Sequence, residues 1–372
     1  MTSKKLHLVS FDVPYPANYG GVIDIFYKLK ALKQQGIDVI LHTYEYGRGQ
    51  QPELEKYCLN IFYYSRNSFV KSYFSTDPFI VKSRANEELI DNLNSDNNPI
   101  LFEGLHTTLP IVTKRLKQQR TYIRTHNIEH LFYKGLAKSE SSIFKRNFFK
   151  QEAKKLKRYE KVLNEVNGAF TISPYEQHYF LKKYGDKCVY IPAFHNTEIH
   201  TDHTSNSKKV LYHGNVLVSE NVKAALFLID VYKDSEFEFM IASSSSNKEI
   251  TREIEKYANI HFILLKDQEQ LYKLFEETQI NVLPTFQKTG IKLKLLNTLY
   301  QGKFIIANNF MVEDTGLENL CELANTKEEF LLKTKELLNQ DFAIETRKER
   351  QKILESFNPV YGAKKIIETI FS

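Results

Sequence analysis

Short apolar runs alternate with helix-period segments twice along this chain, once on each side of a polar stretch at 195–209. In the first series Leu6–Phe11 runs into Asp12-Val13-Pro14-Tyr15-Pro16, which predicts a strand entering a loop. After Gly20 and Gly21, Ile25, Leu29 and Leu32 recur at three-to-four spacing until Gly36, predicting a helix, and Ile37–His42 predicts the next strand. A strand, a glycine loop, a helix and a second strand make a βαβ unit, the seed of a parallel sheet. Pro99–Phe102, Tyr122–Thr125 and Ala169–Ile172 continue the strands, with a long polar helix predicted over Ile143–Asn164.

The second series predicts strands at Val210–Tyr212, Phe237–Ala242, Ile260–Leu264, Ile280–Leu283 and Phe304–Ala307, with helices at Val222–Val231, Gln268–Thr278 and Ile291–Tyr300. Two such series predict an α/β chain of two Rossmann-like domains facing each other across a cleft. The expected boundaries are 1–194 for the first domain, 195–209 for a linker and 210–340 for the second domain. Helices over 341–372 are expected to pack back toward the first domain. A chain of 372 residues suits two cores better than one.

With 42% apolar and 26% charged residues the chain has the composition of a soluble globular protein. Cys58, Cys188 and Cys321 are too scattered for a disulfide framework or a zinc site and suit a reducing, cytoplasmic setting. The N-terminus reads as a first strand and not as a signal peptide, and no apolar run reaches the roughly 18 residues a membrane span needs. The net charge of +6 is modest, but Lys and Arg concentrate between Lys114 and Lys161. Within 143–161, Phe144, Phe148 and Phe149 stand among Lys145, Arg146, Lys150, Lys154, Lys155, Lys157, Arg158 and Lys161. That pattern suits either docking on an anionic membrane or a solvated face with its phenylalanines in the core.

Four loops carry candidate chemistry. Gly20 and Gly21 follow the first strand, where glycine lets backbone N–H groups approach a phosphate, although G-x-G-x-x-G is not matched. Arg124-Thr125-His126-Asn127-Ile128-Glu129-His130 follows another strand and places His126 where parallel sheets hold ligand groups. His126 to His130 also spells H-x-x-E-H, but its first histidine abuts a strand instead of sharing a helix face, so no metal is expected. Gly214 and Asn215 end the first strand of the second series, ahead of Glu220-Asn221-Val222-Lys223. The fourth loop carries the most information: Thr289-Gly290-Ile291-Lys292-Leu293-Lys294, running through Asn297 to Gly302. Lysines at a helix N-terminus oppose its macrodipole, and an anion bound there removes the conflict.

Together these stretches resemble the family 4 (group 1) glycosyltransferases of GT-B fold. Gly20-Gly21 with the helix to Gly36 is similar to the family's N-terminal glycine loop, and Arg124 to Glu129 to its histidine strand. Asn281-Val282-Leu283-Pro284 with Gly290 to Lys294 and Gly302 resembles its donor motif. Where the family usually carries two glutamates this chain has Thr289 and Asn297, and where it has a basic pair after Gly214 this chain has Asn215 and Asn221.

The resemblance implies transfer of a sugar, of hexosyl type, from a nucleoside diphosphate to a hydroxyl of a glycan or lipid-linked acceptor. Retention of configuration, no metal and no cofactor are implied, in polysaccharide assembly at the cytoplasmic face of a membrane. The implied roles are catalytic for His126 and Lys294. Gly20, Gly21, Gly214, Asn215, Thr289, Gly290, Ile291, Lys292 and Asn297 would bind donor, and Asn127, Glu129 and His106 would face the acceptor. The expected partners are the nucleotide sugar, the acceptor and an anionic membrane through 143–161, with no nucleic acid. The missing glutamates leave a second reading, a non-catalytic relative that binds a sugar nucleotide or glycan as a partner subunit. A GT-B epimerase or phosphorylase is a further rival.

Overall fold

The computed structural model describes the chain apart from residues 1–3, 69–71, 74, 141, 200, 202–206, 288–291 and the side chain of Ile344. The chain divides into two compact units, one of Met1–His195 with Ser356–Ser372, the other including Asn196–Lys288 and Lys292–Glu355.

The first unit contains β1 (Lys4–Ser10), α1 (Gly20–Gln34), β2 (Ile37–Glu45), β3 (Asn60–Ser65), β4 (Ile100–Glu103) and β5 (Thr121–Arg124). It continues with α2 (Glu129–Ser139), α3 (Ile143–Tyr159), β6 (Gly168–Thr171), α4 (Pro174–Tyr184) and β7 (Cys188–Tyr190). Its seven strands form one parallel sheet in the order β3-β2-β1-β4-β5-β6-β7. Leu8 of β1 lies opposite Leu41 on one side and Leu101 on the other. The inner strands β4, β5 and β6 are buried at every position, as expected when helices cover both faces of a sheet. One face packs Leu6, Leu8, Ile25 and Leu29 with Ile366 and Ile370 of the C-terminal helix; the other packs Val9, Phe102, Ile123, Leu156 and Phe180.

The second unit contains β8 (Lys209–His213), α5 (Ser219–Tyr232), β9 (Glu238–Ser243), α6 (Lys248–Ile254), β10 (Ile260–Leu264) and α7 (Gln268–Glu277). It continues with β11 (Ile280–Leu283), α8 (Leu293–Gln301), β12 (Phe304–Ala307), β13 (Glu322–Leu323), α9 (Lys327–Leu338) and α10 (Ile344–Leu354). Its sheet is again parallel, in the order β10-β9-β8-β11-β12-β13. Val210, Leu228, Phe239, Ile280 and Ile306 fill one face, and Leu211, Met240 and Phe275 the other.

The expected C-terminal group at 341–372 splits. Helix α10 stays in the second unit, because the buried Arg350 donates to the carbonyls of Leu299, Gly302 and Lys303 and Tyr300 donates to Leu354 O. Helix α11 (Pro359–Phe371) joins the first unit and packs on α1. Each sheet reverses its strand order once, between β1 and β4 and between β8 and β11. Such a switch point opens a crevice at the carboxyl ends of the strands, where α/β sheets hold ligands.

Candidate functional site

At the first switch point the strand ends deliver charged groups into a dry interior. Asp24 and Lys28 sit one turn apart on α1, fully buried, with Lys28 Nζ 2.9 Å from Asp24 Oδ2 and 2.6 Å from Glu103 Oε1 at the end of β4. Arg124 at the end of β5 donates to Asp24 Oδ1 at 3.0 Å. Its guanidinium also donates to the carbonyls of Thr171, Ile191 and Pro192, and Phe194 N–H donates to Asp24 at 2.8 Å. Burial alone would raise the Asp24 and Glu103 pKa values. Arg124 and Lys28 outweigh it for Asp24, as Lys28 and His126 do for Glu103, so both are held below the ordinary carboxylate range.

His126 completes this network and is its exit. Its Nε2 lies 2.8 Å from Glu103 Oε2. An ionised Glu103 can only accept, so Nε2 carries the proton. Nδ1 is then the free face of the ring; it is buried and has no hydrogen-bond partner among the described residues. Phe11 stands edge-on to the ring at 5.4 Å and also lies against His106 at 5.0 Å. Burial, then Arg84, push the His106 imidazole well below its usual pKa, so it is neutral.

Ligand atoms of Asp24, Glu103 and His126 lie within 4.8 Å of one another, a spacing that could hold a cation. Lys28 and Arg124 already bind the two carboxylates, so a metal would have to displace them. The H-x-x-E-H histidines part company: His130 Nδ1 goes to the buried Glu160 at 3.2 Å, beside Tyr179, Lys183 and Tyr184.

Asn127 is half-buried and lies close enough to Glu129 to favour its charged form. Glu129 is buried with Oε1 unpartnered among the described residues, and burial lifts its pKa to about 7 against the pull of Asn127 and Arg84. Its folded pKa lies above the unfolded value near ~4.3, so its contribution is present below that value and lost as pH rises through about 7. Glu129→Gln is therefore expected to flatten the stability–pH curve between about pH 4.5 and 7, removing a decline on the order of 3 kcal/mol. Urea denaturation at stepped pH checks this; parallel curves for both proteins would refute it.

Gly20 and Gly21 correct an expectation: they are the first residues of α1, not a loop before it. A Cβ on Gly21 would stand 2.5 Å from Phe11 Cζ, so ring packing demands this glycine. First-turn N–H groups have no intrahelical partner, so the pair still offers donors.

At the second switch point Gly214 follows β8 and α8 begins at Leu293, with Lys294 in its first turn. Lys294 Nζ donates to Asn221 Oδ1 at 2.8 Å and Tyr212 OH at 3.3 Å, and lies over the Tyr212 ring at 4.9 Å. Asn221 Nδ2 donates to Asn215 O at 2.9 Å, which fixes the amide so that its oxygen faces the lysine. A Cβ on Gly214 would stand 3.2 Å from Lys294 Nζ, Asn221 Cγ and Tyr212 OH, so any larger residue would require these side chains to give by a few tenths of an ångström. Lys294 has no carboxylate in ion-pair contact among the described residues. Burial, then Lys292, lower its pKa to about 8. His213 beside it is driven to about 3 by burial and by Lys294, and is neutral.

Lys292 turns away, donating to Gln287 O at 2.9 Å, and Asn297 is half-buried on α8. Glu220 accepts from Phe286 N–H and Thr285 Oγ1, which pins the chain leaving β11. Thr289, Gly290 and Ile291 lie outside the described residues.

No protein-family model matches the chain. A Klebsiella pneumoniae protein, described as an uncharacterized 44.6 kDa protein in the cps region, is 27% identical over 397 residues, spanning 99% of each chain. Among solved structures, TarM superposes with a TM-score of 0.72 at 13% identity, over 100% of this chain and 99% of TarM. The chain has the GT-B fold. A mutant of S. aureus TarM in complex with fondaparinux, alpha-GlcNAc-glycerol and UDP gives 0.68 at 14%, over 99% of this chain and 100% of that one. Anabaena HepE in complex with UDP and glucose gives 0.65 at 12%, over 99% of each chain. At such identities the GT-B likeness is one of fold.

Sequence reasoning missed the members of the GT-B chain's buried network that surround His126: Asp24, Lys28 and Glu103. Two charged residues one turn apart beside Ile25 and Leu29 in an apolar helix, and a glutamate closing the apolar Ile100-Leu101-Phe102, are signals of paired buried charge.

Proposed function

We propose that the protein is a glycosyltransferase, of hexosyl type and family 4-like. In this reading it moves a sugar from a nucleoside diphosphate to a hydroxyl of a glycan or lipid-linked acceptor. One observation carries the reading: the half-buried Lys294 ammonium, held by the neutral partners Asn221 and Tyr212 beside Gly214 at a switch point. A cation so placed, with first-turn N–H groups of α8 nearby, is an anion site waiting for a diphosphate.

In the proposed reaction the bond from the anomeric carbon to the diphosphate oxygen breaks, and one to the acceptor oxygen forms. The acceptor proton passes to the departing phosphate, and the sugar keeps its configuration. Lys294 balances charge building on the leaving group, the task other enzymes assign to a metal ion. His126 Nδ1 accepts a hydrogen bond from a sugar or acceptor hydroxyl, its ring held by Glu103 through the opposite nitrogen. Polysaccharide assembly is favoured by the cps-region relative, and UDP by the ligands of the TarM and HepE structures.

A thermal-shift screen with UDP, GDP, dTDP and their sugars tests the donor site, because a bound ligand raises the melting temperature by mass action. No shift with any nucleotide would end the proposal, and binding without turnover on every acceptor would favour the partner-subunit reading. His126→Gln is expected to lower kcat about tenfold or more while nucleotide affinity changes little. Equal losses in both would assign His126 a structural role.

A further inference from the structure

Helix α3 has one buried face and one exposed face. Glu152, Ala153, Leu156 and Tyr159 are buried, and Phe148 and Phe149 are packed as well. Phe148 stacks on Tyr73 at 5.9 Å and meets Phe79 edge-on at 6.0 Å, while Phe149 meets Tyr133 at 5.9 Å. These two phenylalanines are half-buried and held in aromatic contacts within the first unit. Phe144 is different: it is 89% exposed, beside Ile143 at 67%.

From that apolar end, a helical step of about 100° per residue puts Lys150, Lys154, Lys157 and Arg158 on the solvent side. All four are exposed, and Lys161 beyond them is exposed too. The helix has one carboxylate, Glu152, which is buried and paired with Lys155 at 2.9 Å, so the open face carries no negative charge. Lys145 and Arg146 in the first turn oppose the helix dipole, a conflict that external phosphates relieve. At the far end Lys114, Arg158 and Lys161 line a cavity of about 400 Å³ together with Ile111, Asp77 and Glu165.

We propose that this face of α3 docks on an anionic phospholipid bilayer. Ile143 and Phe144 enter the headgroup–acyl boundary, the lysine row lies along the surface, and Arg158 and Lys161 hold a lipid phosphate at the cavity mouth. A nucleic acid would use the cations but not the apolar end, whereas an interfacial helix uses both.

The test is co-sedimentation of the full chain with vesicles of phosphatidylglycerol and phosphatidylcholine, against phosphatidylcholine alone. Binding is expected to the anionic vesicles and to weaken with salt. The pair Ile143→Ser and Phe144→Ser should lower partitioning roughly tenfold. The pair Arg158→Ala and Lys161→Ala should lower it roughly 25-fold, about fivefold per charge. These side chains are exposed, and unchanged melting temperatures will show that the variants fold. Absence of wild-type binding to anionic vesicles would overturn the proposal. So would binding that the serine pair leaves intact while double-stranded DNA competes it away, which marks a general polyanion surface.

Discussion

Asp24→Ala is expected to lower the unfolding free energy by about 3–5 kcal/mol, because it leaves buried cations without their counter-charge. Arg124 and Lys28 both converge on this carboxylate, at 3.0 and 2.9 Å, and none of the three side chains is exposed. Arg124 would keep its three carbonyl partners and Lys28 would keep Glu103, but two positive charges would face one negative charge in a dry interior. Asp24→Asn should cost less, since the amide oxygen still accepts. Urea unfolding followed by circular dichroism measures this, and tyrosine emission adds a second probe in a chain with 22 tyrosines and no tryptophan. A loss below about 1 kcal/mol would show that water enters the cluster.

The same carboxylates set an acid limit. Asp24 and Glu103 have folded pKa values below their unfolded ones. Their contribution is complete above the unfolded value near ~4 and is lost as pH falls through the folded values. Asp24→Ala should therefore show a shallower acid limb than wild type.

Lys294→Met is expected to weaken UDP binding by roughly 10- to 100-fold, the range for a lost charge-assisted hydrogen bond to phosphate. The methionine keeps the bulk over the Tyr212 ring, so the loss would report charge and not packing. With a pKa of about 8 the free lysine is an ammonium below that pH. Wild-type affinity should fall as pH rises above about 8, while the variant shows no such step. Calorimetric titrations across pH 6.5 to 9.5, in steps of about half a unit, check both. Unchanged affinity in Lys294→Met would place the diphosphate elsewhere.

The alternation of strand and helix was legible because inner parallel strands are mostly apolar: Ile280–Leu283, apolar but for Asn281, and Phe304–Ala307 coincide with β11 and β12. The strands that escaped notice, β3, β7 and β13, are edge or short elements. Glu322 and Leu323 of β13 are exposed and β7 is only half covered, so neither carries a buried run. At the candidate site, the placement of His126 and Lys294 after strand ends followed from local order. Their surroundings did not. Asp24 and Glu103 are 79 residues apart (103 − 24) and meet through Lys28, a pairing no local pattern encodes. Asn221 looked like the loss of a cation, whereas in the fold its amide oxygen holds one supplied from α8.

The helix α11 that closes onto α1 also has a bearing on how the chain is made. Ile366 and Ile370 are part of the core built by Leu6, Ile25 and Leu29. On the ribosome, that core lacks Ala363, Ile366 and Ile370 until the residues after Pro359 have been made. The second unit's described residues end at Glu355, so its sheet can consolidate while the earlier-synthesised half is still incomplete. The order of synthesis and the order of completion are thus reversed. A nascent chain halted before Pro359 should display a protease-sensitive first half beside a resistant second one.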